Sequence, residues 1–244
     1  MILGLEFPPI ENLVEWPGFF NKIALIYLIS FLVPVLLFGV ALRQKSLVPT
    51  GTRTIAEVTV GFIEKQIIMP TIGPDGLVYL PFLLTMFLFI AISNLFEVIP
   101  FFQMPANARM AGPLVFALVV YFTWIYIGLK HNGPSFIKGL LFPPGVPKAL
   151  YLLVTPIEFL STFFIRPFSH AVRLFANMLA GHLILVSFAV IATALFESTV
   201  VLAVAPGALL VALTGFEILV AALQAYIFTI LAAVFIGRAM HPEH

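Results

Sequence analysis

The chain has 244 residues, of which 61% are hydrophobic and only 9% charged, with a formal net charge of +1 and a mean hydropathy of +1.12. That is more apolar surface than a soluble domain of this length can bury, so the chain is an integral membrane protein. With no cysteine, disulfides, thiolate metal sites, cysteine-ligated clusters and a thiol nucleophile are excluded, while the net charge argues neither for nor against nucleic acid, which is not expected as a partner.

The first 21 residues form an expected outer N-terminal segment. Glu6, Glu11 and Glu15 stand where a basic n-region would be, so no removable signal peptide is expected. Lys22 to Leu42 reads as the first span, with a kink expected at Pro34, where a helical hydrogen bond is missing. Thr52 to Ile68 is different: Ile55, Val58, Phe62 and Ile63 follow helical spacing between Arg53, Glu57, Glu64 and Lys65. This pattern suits an amphipathic helix lying at the membrane surface.

Val78 to Ile99 and Gly112 to Leu129 read as a hairpin of two spans, joined by a loop containing Pro100, Pro105, Asn107 and Arg109. After the Pro/Gly-rich stretch from Gly133 to Pro147 come two longer apolar segments, Ala149 to Phe196 and Pro206 to Met240, with a linker from Glu197 to Ala205. At 1.5 Å per residue they would measure about 70 Å and about 50 Å, against a hydrocarbon layer of about 30 Å. They must tilt, break or leave the membrane, and Pro156 and Pro167 are the expected breaks in the first.

The fold class is therefore an all-α polytopic membrane protein with about five membrane helices and one interfacial amphipathic helix, the last two spans long, antiparallel and strongly tilted. Residues 1–244 read as a single integral membrane domain, in which 22–148 hold the first span, the interfacial helix and the hairpin, and 149–244 hold the two long helices. Basic residues Arg43, Lys45, Arg53, Lys65, Lys130, Lys138, Lys148 and Arg238 gather on one side, which puts the N-terminus outside and the C-terminus in the cytoplasm.

Arg173 lies inside an apolar run, where an Arg costs about 2.5–3.5 kcal/mol on insertion scales and usually marks an ion pathway. Taken at 100° per residue, Arg166, Ser169, Arg173, Asn177, Ala180, Ile184 and Ser187 form one stripe, with His182 pointing about 180° away. On the last helix Glu217, Ala221, Gln224 and Phe228 share a face. A single antiparallel register puts Arg173 level with Gln224 and His182 level with Glu217, and a buried Glu and His can pass protons near neutral pH. No second intramembrane carboxylate of this chain stands opposite Arg173, so its counter-charge is expected from another protein. His170 can face either the inner exit or lipid headgroups.

Arg-Leu-Phe-Ala-Asn-Met-Leu-Ala-Gly-His-Leu-Ile (173–184) and Phe-Glu-Ile-Leu-Val-Ala-Ala-Leu-Gln-Ala-Tyr-Ile-Phe-Thr-Ile-Leu (216–231) together resemble the two signatures of subunit a of F-type ATP synthases. Weaker similarity runs through Ser-Asn-Leu-Phe-Glu-Val-Ile-Pro (93–100) and Thr-Pro-Ile-Glu-Phe (155–159). The resemblance implies a stator beside a ring of c subunits, contact with the peripheral-stalk subunit b, and two offset half-channels for protons. By the same resemblance Arg173 is the arginine facing the c-ring carboxylate, Asn177 and Gln224 are its polar neighbours, and His182 and Glu217 line the outer half-channel. Asn94 and Glu97 match polar positions at the outer entrance, and Ser169 matches one near the inner exit. Leu174 and Asn177 are expected to border the ring. Ala176 stands where bacterial members usually have Gly, and Glu158 is offset by about one residue from the family's acid.

No cofactor is expected. The chain has no Gly-x-x-x-x-Gly-Lys-[Ser/Thr] loop and is read as non-catalytic, the ATP chemistry lying on other subunits. His170 and His182 are about 18 Å apart along one helix, too far to share a haem iron. The implied location is the bacterial inner membrane, or alternatively an energy-transducing organelle membrane.

Overall fold

A computed structural model describes residues 21–43, 51–99, 106–142, 147, 150–198 and 200–240. Residues 1–20, with Lys45, Pro100, Pro105 and Lys148, lie outside the described residues, so the expected outer segment and part of the basic-residue tally are not addressed. Helix α1 spans Lys22–Arg43, α2 Thr52–Ile63, α3 Met69–Thr71, α4 Leu80–Leu95, α5 Ala111–Asn132, α6 Ser135–Leu141, α7 Tyr151–Leu160, α8 Arg166–Ser198 and α9 Val200–Met240. Among the described residues, five helical segments are long and apolar enough to cross a membrane: Lys22–Arg43, Pro74–Leu95, Ala111–Asn132, Tyr151–Phe196 and Ala203–Met240. The protein is an all-helical polytopic membrane protein.

Helix α9 is the centre of the bundle. It runs against α8 over the most extensive pairing in the molecule and also packs on α4 and α5, while α8 closes onto α5. The shared core joins Leu83 and Ile90 of α4, Val120, Trp124 and Ile127 of α5, Leu174 and Met178 of α8, and Ala225, Phe228, Ala232 and Ile236 of α9. Small residues on α9 bring the backbones close, as expected where no hydrophobic force separates helix from lipid. A Cβ at Gly237 would stand 2.7 Å from the Thr71 carbonyl oxygen, which ties the end of α9 to α3. Nearby, Asn132 Nδ2 donates to the Ala239 carbonyl at 2.6 Å.

Four expectations differ in detail. The second span begins earlier, with a 3-10 turn at Pro74–Tyr79, and α4 ends at Leu95, because residues 96–98 fold back through i to i+3 bonds from Glu97 N to Asn94 O and from Val98 N to Leu95 O, each 3.1 Å. Residues 197–205 are not a separate linker, since α8 reaches Ser198 and α9 starts at Val200; Pro206 lies inside α9, two turns from its start, where it removes one i to i−4 hydrogen bond without ending the helix. Neither Pro156 nor Pro167 breaks the fourth segment. A π-helical turn at Ser161–Ile165 between them joins α7 to α8 and absorbs the misfit.

The fourth difference concerns the amphipathic helix. Ile55, Val58 and Phe62 are exposed, as an interfacial face requires, but Ile63, Ile67 and Ile68 are fully buried in the main core. A second π turn, Glu64–Ile68, rotates the apolar stripe from the outside of the helix onto the bundle.

Adding a methyl at Gly237 should therefore force two backbones apart, whereas Gly39 on α1 has nothing within 4 Å of an added Cβ. We expect Gly237→Ala to lower stability by about 1–3 kcal/mol and Gly39→Ala to be neutral or slightly stabilising. Thermal unfolding midpoints of the two purified variants in detergent check the contrast.

Candidate functional site

Helix α8 has two faces of opposite character. Ala171, Leu174 and Met178 are buried with no exposed surface and His170 is 5% exposed, so these residues lock the helix onto α5 and α9. Ser169, Arg173, Asn177, Ala180 and Ile184 all point out of the bundle, along the stripe expected from helical spacing. Arg166, at its inner end, is half-buried and lies over the Trp124 ring at 6.0 Å.

Arg173 makes no ion pair or hydrogen bond with another described residue. Its exposed neighbours along that face are polar or small: Ser169 and Asn177 one turn to either side, with Ala176 and Ala180 near Asn177. A fixed guanidinium on the outward face of a membrane helix calls for a counter-charge, because an unpaired charge is costly in hydrocarbon, and among the described residues none pairs with it.

One turn away, Asn177 Nδ2 donates to Gln224 Oε1 across α8 and α9 at 2.7 Å. The expected register put Gln224 level with Arg173 instead. The side chain of Gln224 reaches about one turn along the helix, about 6 Å, and its Nε2 remains buried without a partner.

Glu217 is 5% exposed and packs onto Gly181, where any Cβ would overlap its carboxylate. The two helices therefore meet close to the expected level, but the expected pairing of His182 with Glu217 is corrected. The acid in ion-pair range of His182 is Glu97, with Nδ1 to Oε1 at 3.8 Å. His182 points away from Arg173, toward the end of α4, whereas Glu217 lies beneath the adjacent glycine. Both carboxylate oxygens of Glu97 are buried and lack hydrogen bonds, and Glu217 is near enough for the two acids to repel. The result is a cluster of Glu97, His182 and Glu217 contributed by three elements.

Asn94 sits behind this cluster, fully buried, with its Nδ2 donating to the Ala221 carbonyl of α9 at 3.4 Å. Leu174 is fully buried and does not border the outward face; it is the neighbour of Arg173 in sequence but lies about 100° around the helix. Of the two positions expected for His170, the lipid-headgroup one does not hold, since the side chain is buried. Its ring stands edge-on to Phe228, centroids 3.9 Å apart, inside the bundle.

Three participants escaped the sequence reading. Asn107 and Tyr27 hydrogen-bond to each other and, through Asn107, to Asn94, and Gly181 supplies the room Glu217 occupies. A polar side chain in an apolar loop and a tyrosine inside a span were the available signals, but neither reveals its partner. Among the described residues no group of three or more His, Cys, Asp or Glu could hold a metal ion.

Comparison with known proteins bears on this arrangement. The family described as ATP synthase A chain matches residues 23–237. Similar curated proteins include ATP synthase subunit a of Frankia alni, 41% identical over 230 residues, covering 93% of this chain and 80% of that protein. The ATP synthase subunit a of Rhodopseudomonas palustris (strain BisB5) is 40% identical over 230 residues, with coverages of 93% and 90%. That of Pseudarthrobacter chlorophenolicus is 39% identical over 232 residues, with coverages of 92% and 86%.

The bond between Asn177 and Gln224 should couple α8 to α9 by about 0.6–1.7 kcal/mol, the range for interhelical hydrogen bonds in membranes. A double-mutant cycle with Asn177→Ala and Gln224→Leu, followed by thermal unfolding, measures it; additive effects would mean that the bond contributes nothing.

Proposed function

This chain belongs to the ATP synthase A chain family, and on that premise we propose that it conducts protons as the stator of the membrane sector, beside a ring of c subunits. Family membership makes it a proton-translocating membrane subunit of an F-type ATP synthase. The division of labour within it is our reading, carried by one observation: Arg173 has no counter-charge among the described residues and projects from the outward face of α8.

The missing partner is a carboxylate on the rotor. A protonated carboxyl is neutral and can travel through lipid; once ionised it is attracted to Arg173, which stays charged because its guanidinium does not deprotonate. Protons from outside enter past Asn94 and Glu97 and pass by way of His182 and Glu217 to that carboxyl. The observed 3.8 Å contact supports Glu97 and His182 as adjacent steps. Ser169, two helical turns or less on the inner side of Arg173 on the same face, lies where a released proton leaves. Arg173 between the two routes repels a proton attempting to pass directly from one to the other.

Each charge crossing the membrane supplies about 2.3 kcal/mol per 100 mV, so several crossings are required per ATP. The chain makes no phosphate bond itself and acts through its partners, the c-ring and the peripheral-stalk subunit b. We place it in the bacterial cell membrane with the N-terminus outside and the C-terminus in the cytoplasm, following its basic residues.

Arg173→Ala should abolish ATP synthesis and ATP-driven proton pumping while leaving the chain inserted, and Arg173→Lys should fail largely as well, because an ammonium can deprotonate when desolvated. Coupled pumping at the normal rate in Arg173→Ala membranes would reject the assignment. Glu97→Gln should slow proton uptake from outside by about 10²-fold, as expected when a proton-transfer group is lost; stopped-flow acidification of vesicles checks this. Asn177→Cys should cross-link to a cysteine on the ring-facing surface of a c subunit, whereas the buried Leu174→Cys should not.

A further inference from the structure

Asn107 lies in the 3-10 turn Ala106–Ala108 between α4 and α5 and is completely buried. Its Nδ2 donates to Ser93 Oγ at 2.9 Å and to Asn94 Oδ1 at 2.6 Å. Its Oδ1 accepts from the Tyr27 hydroxyl of α1 at 3.1 Å, which also reaches the Ala106 carbonyl at 3.1 Å. Both amide hydrogens of Asn107 are thereby used, and the orientation of Asn94 follows from them. Because the Asn94 oxygen receives Asn107, its NH2 group is directed to the Ala221 carbonyl on α9.

Ala221 is one turn from Glu217 and three residues before Gln224. On the other side, the backbone carbonyl of Asn94 accepts the Glu97 amide at 3.1 Å, so the position of Asn94 sets the turn that aims Glu97 at His182. A side chain at Gly112 would overlap the Tyr27 hydroxyl, and only glycine leaves that hydroxyl room to reach Asn107. A single loop amide thus joins α1, α4 and α9 immediately behind two carboxylates.

We propose that Asn107 is a positioning residue for the outer proton entrance, holding Asn94 and, through the 94–98 turn, the carboxylate of Glu97 in line with His182. The inference rests on the reading of Glu97 and His182 as proton carriers. A purely structural clip would serve the bundle equally well anywhere along α4. This one sits at the turn bearing Glu97, where the groups facing that carboxylate are His182 on α8 and Glu217 on α9.

The test uses the intact ATP synthase in vesicles, with ATP synthesis measured against outer pH at fixed inner pH and then against inner pH at fixed outer pH. Asn107→Asp keeps the shape and the acceptor for Tyr27 and loses both donors when ionised, one when protonated; because it adds a carboxyl of its own, Tyr27→Phe, which adds none, must move the outer profile in the same assay. We expect Asn107→Asp to move the midpoint of the outer profile by about half a pH unit, the effect of one lost hydrogen bond on a titrating group, and to leave the inner profile unmoved. Tyr27→Phe, which removes only the hydroxyl, should move the outer profile by less; it carries the test if Asn107→Asp does not assemble. A lower rate with unmoved midpoints, or equal movement of both profiles, would overturn the proposal and reduce Asn107 to a structural clip. Glu97→Gln in the same assay separates the two claims: if it alters the outer profile and neither positioning variant does, the positioning role falls and the proton path stands. If Glu97→Gln alters nothing, the underlying path falls and the positioning role falls with it.

Discussion

A guanidinium at the middle of a membrane helix can persist only if its charge is answered, and among the described residues of this protein none answers it. Everything around Arg173 follows from that constraint. The buried face of α8, with Ala171, Leu174 and Met178, holds the helix firmly enough that Arg173 cannot rotate inward to find a polar neighbour. Gln224, the nearest interior amide on α9, is engaged by Asn177. The cation is thereby kept out of a permanent internal ion pair, which under the proposed function is the condition for attracting a moving carboxylate without trapping it.

The acidic groups obey the opposite arrangement. Glu97 and Glu217 are turned into the protein, and the ion-pair contact of Glu97 with His182 lies on the far side of α8 from the stripe of Arg173. One helix thus separates the titratable groups from the fixed charge. If Arg173 shared their side, the carboxylates would bind it and be held ionised, unable to carry protons as the proposed function requires. The separation is a consequence of nine residues of helix between Arg173 and His182, which is two and a half turns at about 3.6 residues per turn.

Much of this was legible in the sequence for a simple reason: helical periodicity and the bilayer's thickness act on single segments, and single segments are what a sequence displays. The spans, the outward stripe and the opposed direction of His182 are of this kind. The contact between Glu97 and His182 is not, because it joins residues 85 positions apart and depends on α4 ending at Leu95 and folding back. The Asn177 to Gln224 offset depends on how far a flexible amide extends along a helix, which residue spacing alone leaves out. The two π turns were invisible for a similar reason. Each adds a residue to a turn to relieve packing against neighbours, so its cause lies in the rest of the bundle and not in the local composition; the prolines, which do have a local signature, proved to be absorbed.

Helix α9 is gripped unevenly. From Ala221 to Ala239 it is surrounded by α4, α5 and α8 and fastened at Gly237 and Ala239, whereas Val201, Val204 and Val211 near its other end are 78%, 65% and 74% exposed. Mechanically it is a beam clamped on several sides along one half and held chiefly by α8 along the other. Gln224, the α9 residue tied to the stripe of Arg173, belongs to the clamped half. A sideways load applied there would have a short lever arm, so little of its work would be stored as bending of the beam, and the compliance of the pair lies toward the N-terminal end of α9, away from that point.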